Sequence, residues 1–462
     1  MPPYVPLTDD IRLQITECVG PQSVVADPKQ IDTYRRDASD LSCAPEMVVT
    51  VQSAAQIQQL LKLANALRFP VIPRGGGTGL AGGCLPMGGG VVMSLEKMNR
   101  IRAIDTANLI AEVEPGVITH HLRQAARREG LFYPPDPAGM DRSTIGGNAA
   151  TNAGGPACVK YGTTKNYILG LEAVLPNGEP IVAGVKTRKG VVGYDLTQLL
   201  VGSEGTLGVI TALTLKLIPH PAAVSGCAAL FADMHAAMAA VSHIMIRGHL
   251  PSAIEFMDHR CLHLVADLLP FDLPDDKASL LLIETDGVQA QIQREIDVIA
   301  GLCRDMGAVR LLPAPDPAER ERIWAVRRQI SLRIQENADI YFPEDIAVPI
   351  GRIAEFIDTL PRIEADYDVT AYAFGHAGDG NIHVSLCAER TKNPRRVEAG
   401  VTAVFDLALQ MGGTISGEHG IGEAKKKFLP MELSSESIRL QRGIKRLFDP
   451  HLILNPGKIF PD

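Results

Sequence analysis

Positive charge is not in excess in this sequence. Across 462 residues, 45 Lys and Arg stand against 53 Asp and Glu, a formal net charge of -8. A nucleic-acid binder presents a basic face, so that class is set aside. The one basic run, Lys425-Lys426-Lys427, is short and reads either as a solvated face or as the border of an anion pocket. Paired cysteine motifs are missing as well. The eight cysteines form no CxxC and no zinc-ribbon or iron–sulfur spacing. Free thiols in a reducing compartment are expected. A long apolar run is also lacking. The stretch near 227–246 is interrupted by Asp233, His235 and His243, and reads as an amphipathic helix rather than a membrane span. The opening MPPYVPLTDD lacks the basic and apolar regions of a signal peptide. A cytoplasmic protein is expected, with attachment to a membrane surface left open. There is no repeat of solenoid type.

Glycine is plentiful, with 43 residues, and it is clustered. Clustered glycine implies turns with positive φ, or backbone held close to something. The length exceeds one hydrophobic core, so two or three packed units are expected. Two short helices are read over 8–36. Ser53 then caps an amphipathic helix, AAQIQQLLKLANAL. The short strand FPVIP runs into RGGGTGLAGG (74–83). Strands follow at Gly90–Leu95 and Leu109–Val113, and a helix at 117–128. The second glycine-rich stretch is STIGGNAATNAGG (143–155). Strands at Ile168–Leu175 and Pro180–Val185 flank Asn177-Gly178, a hairpin signal. A third stretch, GSEGTLGVIT (202–211), leads into an alternating strand.

The pattern changes near Pro221. Strands near 226–231, 252–257, 279–285 and 308–313 alternate with helices at 233–246, at 289–305 and around Trp324. A short strand at Ile346–Val348, a helix at 351–364 and a hairpin over 370–386 follow. The order implies β-α-β units forming an antiparallel sheet with helices on one face. The fold class is α+β, in three segments: a first mixed domain over 1–221, a second domain with an antiparallel sheet covered by helices over 222–428, and a C-terminal segment, 429–462; the family resemblance given below implies that these are a cofactor domain, a cap domain and a segment returning to the first.

The first glycine stretch does not open a long apolar helix, so it fails the context of a Rossmann fingerprint. No Gly-Lys-Ser/Thr follows, so it is not a P-loop either. It remains suited to an anion nest of backbone N–H groups. Together 74–83 and 143–155 are positioned to grip two phosphates of one dinucleotide. The plain alternative is a set of tight turns.

A second constellation lies in GHAGDGNIH (375–383) and SGEHGIG (416–422). His376 and His383 flank a turn through Asp379 and so fall on adjacent strands. Glu418 offers an oxygen. Two imidazoles and a carboxylate with open positions form a common catalytic metal geometry. A hydrogen-bonded pair of core histidines is the competing reading of the spacing. Zinc or manganese suits these ligand types better than iron.

Taken in order, PRGGGTGLAGG, PPDPAG (134–139), STIGGNAATNAGG, VGYDLTQLLVGSEGTLGVIT and NPGKIF resemble the FAD-binding domain of vanillyl-alcohol-oxidase/PCMH flavoproteins. The two histidine-bearing segments narrow the resemblance to the branch of glycolate oxidase large subunits, D-lactate dehydrogenases and D-2-hydroxyglutarate dehydrogenases. It spans nearly the whole chain. It implies that Pro73, Arg74, Gly75, Gly76, Gly77, Thr78, Gly79 and Leu80 wrap the FAD pyrophosphate. Asp136, Ser143, Thr144, Gly147, Asn152, Ala153, Gly154 and Gly155 line the middle of the cofactor. Tyr161, Gly162, Glu204, Gly208 and Ile210 hold adenine, ribose or flavin edges, and Asn455 reaches the flavin from the C-terminus. Several relatives tether FAD through a His in the first loop. Gly77 and Thr78 stand there, which implies non-covalent binding. The resemblance also supports His376, His383 and Glu418 as metal ligands and Arg327 as the grip on a substrate carboxylate, with Lys425 and Thr78 as weaker substrate candidates. A surface arginine is the bland reading of Arg327, and Trp324 reads as core.

The implied reaction is FAD-dependent oxidation of a D-2-hydroxy acid, of the lactate, glycolate or 2-hydroxyglutarate class, to the 2-oxo acid. A C2 hydride passes to flavin N5, and a divalent cation polarises the hydroxyl. His419 is the candidate base, since imidazole ordinarily titrates at about 6.5; it also reads as a further ligand. Dicarboxylate-specific relatives carry Asn two residues past the second His. Ser385 stands there, and FPEDIAVP (342–349) shows no second basic residue, so a monocarboxylate fits at least as well. Electrons are expected to leave for a quinone, a flavoprotein or an iron–sulfur protein, and a homodimer is expected. Two other readings stay open: a non-catalytic flavin subunit of a glycolate-oxidase-like complex, and a metal-independent alcohol oxidase of the same fold.

Overall fold

The computed structural model describes residues 4–273 and 277–461. The chain forms two compact units. The first comprises Met1–Gly154, Thr163–His220 and His419–Asp462; the second comprises Gly155–Gly162 and Pro221–Glu418. This division differs from the sequence boundaries in two places. Residues 155–162 pack with the second unit although they follow the second glycine stretch. The return to the first unit begins at His419 rather than at 429.

In the first unit, Ser53 caps the helix Ala54–Leu67 by accepting from the Gln56 N–H, and the helix buries Ile57, Leu60, Leu61 and Ala64. Burying each of the larger three stabilises by roughly 1.5–3 kcal/mol. They meet Phe69, Val71, Val91 and Met93 from a three-stranded parallel sheet. Its order is Met47–Thr50, Val91–Ser94, Val71–Arg74. The C-terminus joins this sheet beside Val71, where Val71 N–H donates to Ile453 (2.8 Å) and Asn455 N–H to Val71 (2.8 Å). A five-stranded antiparallel sheet runs Ile101–Asp105, Ile110–Val113, Val209–Lys216, Ile168–Val174, Pro180–Gly184. The last pair closes through Asn177-Gly178, with Gly178 at φ 83°, as a hairpin turn of that composition requires.

The second unit is a seven-stranded antiparallel sheet. Its order is Ala308–Ala314, Ala223–Phe231, Ser279–Gly287, Ala253–Met257, Thr370–His376, Asn381–Ala388, Ile340–Ala347. Helices cover both faces, not one. Val326, Ile330 and Ile334 of the helix Pro317–Glu336 pack with Leu230, Leu280, Leu282 and Phe374. Side chains alternate across a strand, and the opposite set, Ala229, Phe231, Leu281 and Ile283, is buried too. There Cys227 lies against Cys303 of the helix Gln289–Asp305. The last strand is longer than the sequence suggested because Pro343 interrupts its pattern. At a sheet edge a residue without an N–H is tolerated. Among the described residues no helix is long and apolar enough to cross a membrane.

Candidate active site

The glycine-rich stretches of the first unit meet one another. Leaving Val71–Arg74, the chain turns through Gly75, Gly76 and Gly77. A Cβ at Gly75 would overlap the Thr144 hydroxyl, and one at Gly76 the Arg142 carbonyl oxygen. The second stretch is not an open loop. Residues Ile145–Thr151 form a short helix capped by Thr144, whose hydroxyl accepts from Gly147 N–H (3.2 Å). Gly146 lies so close to Pro115 that a Cβ would not fit. Ser143 and Asn148 both bond Thr119 (2.8 Å each). The third stretch docks on this helix through Gly202 N–H to Ala149 and Glu204 N–H to Ala150.

Several residues expected at the cofactor are held in place by the protein itself. Arg74 is buried, lies over the Tyr34 ring and donates to the carbonyls of Tyr34 and Arg36. Its guanidinium shapes the loop, leaving the backbone of 75–80 to contact a ligand. No atom lies within 4 Å of a Cβ built on Gly79; Leu80 is exposed, and Thr78 stands beside Gly139. Glu204 is buried, and its carboxylate accepts from Ile421 N–H (2.9 Å) and Gly422 N–H (2.8 Å). Burial pushes that carboxyl upward, against the pull of those N–H groups and Lys458. Asn152 accepts from Lys165 N–H (2.9 Å), and Ala153 accepts from the Thr164 hydroxyl (2.8 Å). Ile210 pairs with Ala173 in the five-stranded sheet, one strand position after the turn at Gly208.

Asn455 donates to the carbonyls of Gly83 and Glu204 (2.8 Å each), while its own Oδ1 is buried without a partner. Asn152, Glu204 and Asn455 all lie in the left-handed region, at φ 53°, 51° and 44°. Such backbone costs about 1–3 kcal/mol per residue and concentrates where ligands bind. The open space at Gly79 and the orphaned Asn455 acceptor fit a cofactor laid along this backbone.

Five further expected residues have the following places. Gly155, Tyr161 and Gly162 belong to the second unit, where the Tyr161 hydroxyl donates to Asp286 (2.7 Å) and Lys160 pairs with the same carboxylate. Asp136 lies in the connection after Leu131–Phe132. Lys425 is buried in the first unit, not on a solvated face; Lys426 beside it pairs with Glu423 (3.0 Å).

In the second unit the hairpin pairs Phe374 with His383 and His376 with Asn381. The two imidazole rings stand 5.2 Å apart at 85°. Glu418 Oε1 is 3.7 Å from His376 Nε2 and 3.6 Å from His383 Nε2. Ligands about 2.1 Å from a tetrahedral ion stand about 3.4 Å from one another, so these separations suit one shared cation. His376 Nε2 is buried without a hydrogen-bond partner, which a core pairing of histidines does not explain. The donor set fits a divalent metal.

Two carboxylates missing from the sequence reading complete this region. Glu255, wholly buried on Ala253–Met257, pairs with His376 across the strands and meets its Nδ1. Asp345, also wholly buried, is in register with His383. It accepts from Asn381 Nδ2 (2.6 Å), the Ser416 hydroxyl (3.0 Å) and Glu418 N–H (2.9 Å), which seats the segment bearing Glu418. The signal was one acidic residue in an apolar strand, IEFM, for Glu255 and an acidic pair opening an apolar run, EDIAV, for Asp345. Burial favours a neutral Glu255, yet His376 and Arg327 hold its carboxyl below the usual range. Burial likewise opposes charge on His376, and Glu255 and Glu418 lift it well above its ordinary value.

Arg327 donates from Nε to Glu255 Oε2 (2.9 Å) and lies over the Phe374 ring at 4.4 Å. Arg328, by contrast, is exposed and pairs with Glu321. Trp324, read as core, is half-buried. His419 follows Glu418 directly and opens the segment assigned to the first unit.

Residues 45–184 match the family described as FAD binding domain, and residues 220–459 match FAD linked oxidases, C-terminal domain. The glycolate oxidase subunit GlcD of Bacillus subtilis is 39% identical over 457 residues, 98% of this chain and 97% of that one. A D-lactate dehydrogenase of Anaerostipes hadrus is 36% identical over 453 residues, covering 96% and 95%. Among solved structures, p-cresol methylhydroxylase with substrate bound superimposes with a TM-score of 0.79 at 18% identity, over 97% of this chain and 96% of that one. At that identity the likeness is one of fold. The matched domains and the near full-length identity lead to one conclusion: this chain is an oxidoreductase belonging to the FAD-linked oxidases, in the branch of GlcD and the D-lactate dehydrogenases.

Proposed function

We propose that this enzyme oxidises a small D-2-hydroxy monocarboxylate, of the lactate or glycolate kind, to the 2-oxo acid with the help of a divalent cation. The observation that carries the reading is the convergence of His376, His383 and Glu418 on one point, with a buried imidazole nitrogen left unpartnered. When bound, FAD supplies the two-electron sink and the cation, zinc or manganese, polarises the hydroxyl.

The chain's own residues do the rest. His376, His383 and Glu418 hold the cation, and Asp345 keeps Glu418 in place. Arg327 engages Glu255 through Nε and Nη2. A guanidinium carries five N–H donors, so others remain to grip a substrate carboxylate and fix its orientation. His419 takes the hydroxyl proton as the C2 hydride departs, a role worth on the order of 10²–10⁴ in rate. The strand Ile340–Ala347 and the buried Ser385 offer no basic partner for a second substrate carboxylate, which favours a monocarboxylate. FAD is held without a covalent bond. Turnover would require an electron acceptor, proposed to be a quinone, a flavoprotein or an iron–sulfur protein. A relative named as a subunit makes assembly with such a partner part of the proposal.

The test is anaerobic titration of the yellow, metal-supplied protein with D- and L-2-hydroxy acids. Bleaching of the flavin band by a D-monocarboxylate at the lowest concentration is expected. Indifference to every acid, or equal bleaching after exhaustive chelation, sinks the proposal.

A further inference from the structure

Glu255 hydrogen-bonds both Arg327 and the His376 imidazole. It is wholly buried. Oε1 meets His376 Nδ1, while Oε2 lies 2.9 Å from both Nε and Nη2 of Arg327. A buried carboxylate is tolerated when its charge is paired and its oxygens are bonded, and here both oxygens are engaged. An imidazole that donates Nδ1–H to a carboxylate is held in the tautomer whose Nε2 lone pair is bare. A metal-ligating imidazole is neutral, and the nitrogen then left bare is the buried Nε2, which makes no hydrogen bond and lies 3.7 Å from Glu418.

We infer that Glu255 is a positioning residue: its hydrogen bonds, with their direction set by Arg327, decide which nitrogen of His376 is open to a cation. The inference rests on the metal reading proposed above. A guanidinium only donates. Whatever stands at 255 must therefore turn an acceptor toward Arg327. Glutamate does so and keeps a second acceptor for Nδ1–H. Glutamine has one acceptor. In Glu255→Gln the amide oxygen faces Arg327, and the NH₂ faces His376 Nδ1, which must then accept. The ring proton moves to Nε2, the position the cation needs. The substitution does more than delete a contact; it reverses the tautomer.

The experiment uses the full-length, metal-stripped protein and measures zinc, then manganese, in competition with a chelating dye. Wild type binds. Glu255→Gln binds about 100-fold more weakly, the upper end for loss of such an outer partner. In the double variant Glu255→Gln/Arg327→Met the amide is free to turn its oxygen to Nδ1–H, and affinity returns to within about tenfold of wild type. Nitrogen-15 NMR places the His376 proton on Nε2 in the single variant and on Nδ1 in the double one. A general packing role predicts no rescue, so equal affinities for the two variants overturn the inference. Should Glu255→Gln fail to fold, the zinc-loaded wild type decides: His376 keeps its Nδ1 proton on loading, and loss of that proton overturns the inference. If wild type binds neither metal, the metal reading fails and the inference falls with it; if wild type binds and the variants bind as tightly, only the inference fails.

Discussion

The two units gather their chemistry by opposite means. The first brings glycine-rich backbone, a short capped helix and the C-terminus together, and its named side chains are mostly spent on the protein: Arg74 on two carbonyls, Glu204 on two N–H groups, Asn455 on two carbonyls. The second brings side chains together from four strands, one helix and one following segment, and ties them by charge: Arg327 to Glu255, Glu255 to His376, Asp345 to the Glu418 backbone. A site made of backbone is vulnerable to added atoms. A site made of buried charges is vulnerable to a lost partner.

That contrast breaks cleanly if one substitution spoils both regions. The largest expected effect is His383→Ala. Turnover falls by about 10³-fold or more, as loss of several kcal/mol of Lewis-acid stabilisation requires, while the protein stays yellow. Assayed metal content should drop and flavin content should not; a colourless product would refute the separation. Next comes Gly76→Ala, where the new methyl meets the Arg142 carbonyl oxygen. Overpacking of this kind costs about 1–3 kcal/mol, so FAD affinity should weaken by roughly 10–100-fold with zinc binding intact. Unchanged flavin retention on dilution would show that the loop does not support the cofactor.

The smallest effect concerns thiols in both units. Burial pushes Cys84 up to about 11, and Cys227 and Cys387 to about 12, from an ordinary 9.0. A raised thiol keeps its proton in the folded state after the unfolded chain has lost it. Its contribution to stability is therefore intact below about pH 9 and declines as pH climbs toward 11–12. Native protein at pH 8 should leave the buried Cys227 and Cys387 unmodified by a thiol reagent over minutes, while guanidinium exposes all eight cysteines. Rapid labelling of Cys227 in the native state would contradict its burial.

Much of this was legible beforehand, and unevenly. The helix capped by Ser53, the Asn177-Gly178 hairpin and the strands flanking Asp379 were readable because each signal lies within a few residues. The second glycine stretch was misjudged as a loop because two glycines in seven residues mask a capped helix turn. Coverage of the second sheet on both faces was missed, since near-continuous apolar strands such as Ala223–Phe231 do not say which helix lies on which side. Glu255 was passed over for a related reason: it stands 121 positions from His376, and a lone acid in IEFM carries no spacing to measure.

The amino-acid order alone determined where the backbone must bend and which stretches bury one face, and it singled out two imidazoles and a carboxylate as candidates for one site. Turn formation, capping and hydrophobic period act between near neighbours, so they are written locally. Only the folded chain decided that residues 155–162 join the second unit, that Arg327 is committed to Glu255, and that a buried acid stands behind each histidine-bearing strand position. Those are pairings of charges brought together across a sheet, and their strength comes from exclusion of water, a property no single segment possesses.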